Sequence, residues 1–424
     1  MPEFFCLPGV QGFAIITDNK SCISFTRIAS ILESGQSDSG NISNVIFVVP
    51  EISYHQNDLR EAVLTVYPTT DCNLRCTYCY ASSGSIRKEL SLSIYEQFLT
   101  DTVDPSRFNQ MVLNFHGGGE PTLNPVHFGS LISTFEQKCQ ALMIKPSYRL
   151  TTNGTFSCQV RKLIQHYRIA TNVSWDGPDD IQHFQRPFAS GKNSHELVLE
   201  NMRFLIDLGL LDEVRVTITP NNIARLKEII AFLSHEGIKK IHIEPASILG
   251  RNEGEEGLSI NYYAAVFKDA YILCCRLGIL LRGLGTMIFK KPTQRHCGAF
   301  GWNFVLTSSG DISACTRVQH SSDQHSESFL FGPWSPGADP TTFAKPKRMR
   351  LQERRTENLE DCAHCFLKYH CAGGCPMSLP ESYDKNLVRI NEKPCQLIQT
   401  CTLKVLEAVK AGHLPPGWKA TANH

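Results

Sequence analysis

Three closely spaced cysteines constrain this chain more than any other feature of its sequence. Cys72, Cys76 and Cys79 follow the spacing Cys-x3-Cys-x2-Cys, directly after the apolar run 62–67, which predicts a β-strand. A cubane iron–sulfur cluster takes four ligands, so a tight loop with three thiolates binds three irons and leaves the fourth without a protein ligand. The spacing therefore predicts a cluster whose open iron is available for chemistry. A zinc site and chance clustering are the alternatives that three cysteines alone leave open.

Composition restricts the class of protein and the use of its cysteines. The 424 residues, 42% hydrophobic and 20% charged, are typical of a soluble globular protein of two or three domains. A net charge of +1 gives no overall electrostatic reason to expect nucleic acid or an anionic membrane as partner. The sequence has no signal-like or long apolar segment, so we expect a cytoplasmic protein. Seventeen cysteines, an odd number, fit metal clusters there better than disulfides.

The segment from residue 62 to about residue 282 alternates between strand-like and helix-like runs. Helix-like runs at 125–143 and 195–208 are amphipathic, and the strand-like runs are 62–68, 111–116, 148–152, 171–175, 214–219 and 240–245. Alternation at this spacing predicts a parallel sheet that right-handed crossovers curl into a full or partial barrel. In such barrels active residues lie at the carboxyl ends of the strands, which is where the three-cysteine loop begins.

The cysteine loop and the next strand end resemble the signature of the radical S-adenosylmethionine (SAM) enzymes. In that family the open iron is held by the amino and carboxylate groups of SAM, and the resemblance implies that Tyr78 lies beside the adenine. The second strand ends in His-Gly-Gly-Gly-Glu-Pro, residues 116–121. This is similar to the family's Gly-Gly-Glu-Pro motif with one extra glycine. It implies that Gly118, Gly119 and Glu120 contact the amino end of SAM.

Two later strand ends extend the resemblance to the rest of SAM. Thr-Thr-Asn-Gly at 151–154 and Ser-Trp-Asp-Gly-Pro at 174–178 imply that Asn153, Ser174 and Arg186 contact the ribose and carboxylate. Relatives usually have Asp where His183 stands. Two further strand-end residues are candidates for the barrel mouth, Thr219 and Glu244. They face the mouth only if the strand phases are as predicted; otherwise they are polar groups bonded within the protein.

Seven cysteines in the last third form a second pattern. They comprise a Gly-x4-Cys hairpin, a Cys-x2-Cys-x5-Cys-x3-Cys run and flanking single cysteines. The pattern resembles the SPASM extension of radical SAM proteins, which binds two further four-iron four-sulfur clusters. A pair of zinc knuckles would predict two like Cys-x2-Cys pairs, and only one is present. The resemblance implies an outer cluster and an inner cluster with the ligands Cys362, Cys365, Cys371 and Cys395 (outer) and Cys297, Cys315 and Cys375 (inner).

The inner cluster is one ligand short in this assignment. Either its fourth iron is open, or Cys274 or Cys275 on the apolar run 262–281 supplies the missing thiolate. A thiol on an apolar helix is usually part of a core, which favours the open iron. Cys139, Cys158 and Cys401 have no such context and are expected to be structural.

The predicted fold is α/β: a partial (β/α)6 TIM-like barrel with a small N-terminal α+β unit and a C-terminal cysteine-rich iron–sulfur domain. We place the boundaries at 1–60, 61–290 and 291–405, followed by a frayed tail, 406–424. In the first unit, strands are predicted at 12–17 and 44–50 and a helix at 24–33, with a capping or leader-binding role. The basic run 345–350 with Arg354 and Arg355 is either a solvated face or a site for an acidic leader peptide.

The resemblance implies a reaction class and its partners. Reductive cleavage of SAM gives a 5′-deoxyadenosyl radical, which abstracts hydrogen from a substrate, and the two auxiliary clusters remove an electron from the product radical. Since SPASM relatives mostly act on polypeptides, the favoured function is maturation of a ribosomally made precursor peptide by a thioether, carbon–carbon or ether cross-link. The partners implied are a peptide or protein substrate and an electron donor such as flavodoxin or ferredoxin.

Two other functions remain open. A sulfatase-maturing enzyme would oxidise Cys or Ser to formylglycine; such enzymes carry an aspartate base directly after the hairpin cysteine, where this chain has Thr316, although Asp311 or His320 is near in sequence. A non-enzymatic iron–sulfur sensor or electron carrier would not need the SAM-shaped strand ends that contain Gly118 and Glu120.

Overall fold

The computed structural model describes residues 61–254, 257–290, 293–300, 303–379 and 389–418, together with the backbone of three short strands near the N terminus. Those strands, β1 (Glu3–Cys6), β2 (Ala14–Thr17) and β3 (Ile23–Thr26), form an antiparallel sheet in chain order. The predicted helix 24–33 is wrong at its start, because 23–26 is a strand rich in the β-branched and aromatic residues that favour strands. The predicted strand 44–50 lies outside the described residues.

A ten-stranded sheet organises the rest of the described chain. Seven parallel strands lie side by side in chain order: β4 (Glu61–Val66), β5 (Gln110–Phe115), β6 (Lys145–Thr152), β7 (Ala170–Ser174), β8 (Leu211–Ile218), β9 (Lys240–Pro245) and β10 (Leu280–Gly283). The six predicted strands are confirmed, and the sheet is the predicted partial TIM-like barrel with one added strand. That strand arises because Gly278, with φ of 67°, ends the preceding helix inside the predicted apolar helix.

Helices cover one face of this sheet and leave the other face polar. They are α1 (Leu92–Thr102), α2 (Pro125–Ala141), α3 (Cys158–Tyr167), α4 (Asp179–Gln185), α5 (His195–Asp207), α6 (Leu226–His235) and α7 (Ile260–Leu277). Strand side chains alternate between the two faces. On β8, Val214 and Val216 belong to the buried core, whereas Arg215 and Thr217 between them are partly exposed on the opposite, concave face. The concave face can therefore hold polar ligands.

The C-terminal part of the chain extends the same sheet. β11 (Val305–Leu306) pairs in parallel with β4, and β12 (Asp311–Ser313) and β13 (Leu330–Pro333) continue it in antiparallel fashion. The predicted Gly-x4-Cys hairpin is thus joined to the strand that leads into the three-cysteine loop. The helices that follow are α8 (Ser326–Phe329), α9 (Lys345–Glu353), α10 (Lys368–Cys371) and α11 (Glu392–Lys410).

The end of the described chain packs against the barrel. α11 lies along α7 and buries Val405 and Val409, so the prediction of a tail frayed from residue 406 is wrong. Beyond the helix, the Tyr271 hydroxyl donates to the carbonyl of His413 at 3.0 Å. None of the helices in the described ranges is long and apolar enough to cross a lipid bilayer.

Candidate active site

The loop after β4 carries the three predicted catalytic-cluster cysteines to the carboxyl edge of the sheet. The backbone N–H of Leu74 donates to Cys72 Sγ at 3.4 Å, and the side-chain amide of Asn153 lies 3.7 Å from the same sulfur. Cys79 Sγ lies 3.5 Å from Ser83 Oγ, and the backbone N–H of Cys79 donates to the carbonyl of Cys76. N–H groups directed at sulfur are the kind of contact that tunes cluster thiolates, so the surroundings of Cys72 fit the predicted ligand role.

Neighbouring segments fix this loop by backbone contacts. Arg75 donates to the carbonyls of Cys72 and Leu74 at 2.7 and 2.9 Å. From the segment after β9, Arg251 donates to the carbonyl of Cys76 at 3.1 Å, and its backbone N–H reaches the carbonyl of Cys79. No sequence motif indicated Arg251, because its role depends on the approach of two segments far apart in the chain.

Glycines at the second strand end permit a close approach to the cysteine loop. A Cβ at Gly119 would lie 2.0 Å from the carbonyl oxygen of Asp71, which accepts a hydrogen bond from the N–H of Glu120 at 2.8 Å. Gly118 has φ of 104°, a conformation that favours glycine, and its carbonyl accepts from the hydroxyl of Ser83. The extra glycines therefore serve the packing of two loops, whatever they contact in a ligand.

The Glu120 carboxylate is buried and bonded to protein groups. Its oxygens accept from the hydroxyls of Thr122 and Thr152 at 2.6 and 2.7 Å and from the backbone N–H of Asn153 at 2.7 Å. Burial raises its pKa, and these donors counteract the rise. In this arrangement Glu120 positions Asn153 against Cys72; its predicted contact with the amino group of SAM stays a prediction.

Tyr78 belongs to a buried polar cluster at the fourth strand end. Its hydroxyl donates to Asp176, and it accepts from Arg186, whose guanidinium carbon lies 5.9 Å from the centre of the Tyr78 ring. Asp176 also accepts from Gln185 at 2.9 Å and from the backbone N–H of Thr217 at 2.9 Å. Asp176 is not among the predicted SAM contacts, although an Asp-Gly turn directly after a strand is a signal that the sequence contains. The cluster brings two predicted SAM contacts, Tyr78 and Arg186, together.

A charged network crosses the concave face on β8 and β9. His242 Nε2 lies 2.8 Å from Glu244 Oε1, and its Nδ1 lies 3.4 Å from Glu213 Oε1. Arg282 pairs with Glu213 at 2.8 Å, and Arg215 lies 4.0 Å from Glu244. Burial opposes ionisation of both carboxyls, but the bonds from His242 and the nearby cations lower the pKa of each to about 2. Glu244 thus faces the concave side, with a side chain 40% exposed.

The Cys315 hairpin meets the cysteine loop through one carbonyl. The hydroxyls of Tyr67 and Tyr80 both donate to the carbonyl oxygen of Thr316, the latter at 3.4 Å. Tyr67 directly follows β4 and Tyr80 follows Cys79, so the two predicted cluster regions share this contact. No local sequence pattern indicates this contact, because it depends on the pairing of β11 with β4.

The four cysteines assigned to the outer cluster line one pocket. It has about 430 Å³ of empty space including its mouth, and the side chains around it include Gln399 and the cysteines Cys362, Cys365, Cys371, Cys375 and Cys395. The amide of Gln399 lies 3.6 Å from Cys365 Sγ and 3.5 Å from Cys395 Sγ. A pocket walled by thiols fits the predicted outer cluster, and Gln399 directs its amide N–H groups at two of the sulfurs, a contact that the sequence pattern had not shown.

The three inner-cluster cysteines lie close enough to affect one another. Burial raises the pKa of Cys297 to about 11 and that of Cys315 to about 12, and the thiol of Cys375 adds to both shifts. Cys274 is buried in the α7 side of the core, and the thiol that adds to its pKa shift is that of the neighbouring Cys275. The pKa of Cys274 is also raised to about 12, so a raised pKa does not separate ligands from core thiols. Within the described ranges, no three Cys, His, Asp or Glu side chains converge as the ligands of a single metal ion do.

Several predicted residues lie outside these clusters. Thr219 is buried and donates to Gln185 Oε1 at 2.5 Å, which makes it a satisfied polar group. His183 is exposed and bonds to the carbonyl of Gly191, whereas Ser174 is half-buried beside Arg215 in the register of β7 and β8. His320 is exposed and lies 2.8 Å from Ser322.

The basic run is only partly the solvated face that we expected. Lys347 and Arg350 are exposed and line a shallow groove with Glu327. Arg348 instead donates to the carbonyl of Pro340 at 2.7 Å, and the buried Arg354 donates to the carbonyl of Gly373 at 2.9 Å and lies among the cluster cysteines.

The sequence and the fold both resemble those of known proteins. Residues 66–233 match the radical SAM superfamily. The serine-type anaerobic sulfatase-maturating enzyme of Klebsiella pneumoniae is 22% identical over 328 residues, which cover 73% of this chain and 80% of that enzyme.

Solved structures share the fold over most of the chain. Native anSMEcpe with bound AdoMet and the Kp18Cys peptide superposes with a TM-score of 0.69 at 16% identity, covering 83% of this chain and 99% of that one. Streptococcus suis SuiB bound to the precursor peptide SuiA superposes with a TM-score of 0.57 at 16% identity, and the match covers 79% of this chain and 75% of that one. The radical SAM superfamily binds SAM and a four-iron four-sulfur cluster, and the matched residues include the three-cysteine loop. Residues 66–233 therefore form a radical SAM domain, and the chain is related to the anaerobic sulfatase-maturating enzymes.

Proposed function

We propose that this chain is a radical SAM enzyme that modifies a peptide or protein, and that it forms a cross-link in a ribosomally made precursor. The observation that carries the proposal is that the three-cysteine loop and the Cys315 hairpin meet at the mouth of the barrel. The Cys315 hairpin continues the barrel sheet, and Tyr67 and Tyr80 both donate to the carbonyl of Thr316 beside it. This contact supports a substrate site that lies between the SAM-binding loop and the auxiliary cysteines.

The residues of the barrel have distinct roles in this proposal. Cys72, Cys76 and Cys79 would hold three irons of a cluster that, with SAM bound, supplies the 5′-deoxyadenosyl radical. Asn153 donates toward Cys72 and is itself held by Glu120. The remaining contacts with SAM would come from Gly118, Gly119, Ser174, Arg186 and Tyr78.

The C-terminal cysteines would serve electron removal in the unit 291–405. Cys362, Cys365, Cys371 and Cys395 would hold the outer cluster in the pocket beside Gln399, and Cys297, Cys315 and Cys375 would hold the inner one. Arg354 lies between the two sets and donates to the carbonyls of Gly373 and Gly374 at 2.9 and 3.3 Å. Its buried positive charge would stabilise both anionic sites.

Formylglycine formation is the second candidate, and the related sulfatase-maturating enzymes favour it. One position of the hairpin opposes formylglycine formation. The hairpin cysteine is followed by Thr316, and Asp311 lies on β12, where the charges that act on it are those of Lys88 and His320. On the concave face, Glu244 is a carboxylate 4.0 Å from Arg215 and 2.8 Å from His242.

The experiment is anaerobic reconstitution and reduction with two kinds of peptide. A precursor peptide encoded beside the enzyme and an 18-residue sulfatase-type peptide with a central Cys or Ser are incubated with SAM. We measure 5′-deoxyadenosine, the peptide mass and reaction with a hydrazide. A cross-link removes two hydrogens and gives no aldehyde, whereas formylglycine reacts with the hydrazide. Aldehyde formation in the sulfatase-type peptide alone would replace the first proposal with the second, and SAM cleavage that no peptide stimulates would contradict both.

A further inference from the structure

The side chain of Gln399 reaches two of the four thiols assigned to the outer cluster. Its amide nitrogen Nε2 lies 3.6 Å from Cys365 Sγ and 3.5 Å from Cys395 Sγ, within hydrogen-bonding range for sulfur. A primary amide has two N–H donors on this nitrogen, so one group can serve both sulfurs. The two cysteines lie in separate segments of the chain, and Gln399 contacts both.

The position of Gln399 is fixed by a helix that packs on the barrel. Gln399 lies one turn after Cys395 on α11, and residues at this spacing share one face of a helix. Its neighbour Ile398 belongs to the main core, as do Cys401 and Val405 further along the helix. Gln399 itself is half-buried and lines the pocket of the outer cysteines. The packed helix therefore presents the amide to the two sulfurs.

The other three polar side chains of this pocket, cysteines aside, are directed elsewhere. Asn391 donates through its side-chain amide to the carbonyl of Ser378, whose hydroxyl donates to the carbonyl of Cys375 at 2.7 Å. The ammonium of Lys368 lies 5.5 Å from the centre of the next residue's ring. Among the pocket-lining residues that the structure describes, Gln399 thus supplies the side-chain N–H groups aimed at these sulfurs.

The thiols around Gln399 fit a cubane cluster better than a single metal ion. A four-iron four-sulfur cluster takes one thiolate on each iron, so its cysteines surround it instead of converging on one atom. In the described part of the chain, no three ligating groups converge as they would on one ion, and the four outer cysteines line one pocket. Such a cluster supplies one-electron transfer. Since reduction adds negative charge, N–H donors to its thiolates stabilise the reduced form and raise the reduction potential.

We infer that Gln399 sets the reduction potential of the outer cluster by donating N–H groups to the sulfurs of Cys365 and Cys395. This role rests on the proposed function, because it needs the outer cluster to be present. In that function the outer cluster accepts an electron that the product radical gives up, and a higher potential favours this direction. The amide is neutral, so it raises the potential without adding a charge to the pocket.

The test is a redox titration of the reconstituted full-length chain, followed by electron paramagnetic resonance. Cys72, Cys76 and Cys79 are first changed together to Ala, so that the signals of the two auxiliary clusters remain. The outer-cluster signal is the one that changes in Cys365→Ser. At a fixed solution potential, Gln399→Leu should lower the ratio of reduced to oxidised outer cluster on the order of 10-fold, which is about 59 mV for a one-electron couple. Gln399→Glu should lower this ratio further, because a carboxylate has no N–H donor and adds negative charge.

Two controls separate this effect from a general disturbance of the helix. Gln396→Leu changes the same residue type directly after Cys395, at an exposed position that does not line the pocket, and should leave the potential unchanged. The inner cluster is the internal control. Its potential should not move in Gln399→Leu, because both described contacts of the Gln399 amide nitrogen go to sulfurs of the outer set.

The remaining outcomes overturn the inference in distinguishable ways. An unchanged potential in Gln399→Leu would contradict it, and a raised potential would show that the amide oxygen faces the sulfurs. An equal fall in Gln396→Leu or in the inner cluster would show that the effect does not act through these sulfurs. All of these results leave the proposed function standing. If no signal responds to Cys365→Ser, the outer cluster fails and the inference with it. Iron content is measured in every variant, and if Gln399→Leu loses iron, the potential of Gln399→Met decides.

Discussion

The cysteine loop of the barrel and the C-terminal cysteine segment 356–379 are held in place in different ways. The loop after β4 lies on a seven-stranded parallel sheet with a continuous buried core, and backbone contacts from Arg75 and Arg251 fix it. The C-terminal segment contains single turns: Thr356–Asn358, Glu360–Cys362, Lys368–Cys371 and Pro376–Ser378. The segment adds Leu367 and Cys371 to the main core, and Met377 and Leu379 to a second cluster of eight buried residues within the described ranges. Apolar burial therefore holds the first region along a whole sheet, but it holds the second through single side chains between short turns.

This difference suggests where folding depends on metal. In the barrel, protein contacts would bring Cys72, Cys76 and Cys79 together before a cluster binds. In the C-terminal segment, the fold and the metal site would form together, as in small metal-dependent domains.

The largest expected effect is the loss of SAM cleavage when the loop cysteines are removed. Changing Cys72, Cys76 and Cys79 together to Ala should abolish 5′-deoxyadenosine formation, because no thiolates remain to hold the three irons. Because the barrel does not need this cluster to fold, the variant should keep its circular dichroism spectrum. Persistent SAM cleavage would contradict the radical SAM assignment of the loop, and a general loss of structure would contradict the comparison.

The second effect concerns iron and local order. Three cubanes imply about twelve irons per chain after reconstitution and about eight in the triple variant. When all iron is removed by chelation, amides in 356–379 should lose protection from hydrogen exchange while those in β4–β9 keep it. Equal loss of protection in both regions would remove the distinction between them. A value near four irons with zinc making up the rest would contradict the two auxiliary clusters.

A third, moderate effect concerns Gly119, where the barrel loop is packed most closely. In Gly119→Ala the new Cβ would lie 2.0 Å from the Asp71 carbonyl, so the loop must shift, at a cost of about 1–3 kcal/mol of stability. We expect lower SAM affinity with full iron in the C-terminal segment. Gly129→Ala on α2, where the nearest atom is 3.4 Å away in Leu163, is the control and should leave SAM affinity unchanged. Equal SAM affinity in the two variants would show that the close approach is not needed.

The smallest effect is expected at Cys274 and Cys275. Their change to Ala should leave the iron content and the spectrum of the inner cluster unaltered, because the structure places them on α7 and not beside Cys315. Loss of iron in either single variant would favour a closed inner site that serves electron transfer alone. If iron is kept, a thiol-containing peptide should perturb the paramagnetic spectrum; no perturbation would remove the reason to regard that site as a substrate clamp.

Local pattern was sufficient where one element decides the outcome. The alternation of apolar runs predicted six parallel strands, and the turn at Ser308–Gly310 predicted the hairpin that carries Cys315. Local sequence pattern was insufficient to predict where helices end and what orders the C-terminal residues. Gly278 terminates α7 and releases a seventh strand, and contacts of Trp418 with Phe289 order a tail that composition alone suggested was frayed.

Ligand spacing and strand-end turns are local features, so the sequence alone specifies the chemistry available to this protein. These features are three thiols within one loop, glycines before Glu120, and a Cys-rich C-terminal run. Which distant residues meet at the barrel mouth depends on the tertiary structure. The pairing of β11 with β4 brings Thr316 to Tyr67 and Tyr80, and the segment after β9 brings Arg251 to the carbonyl of Cys76. Such contacts depend on the register and curvature of the whole sheet, which residue-by-residue patterns do not encode.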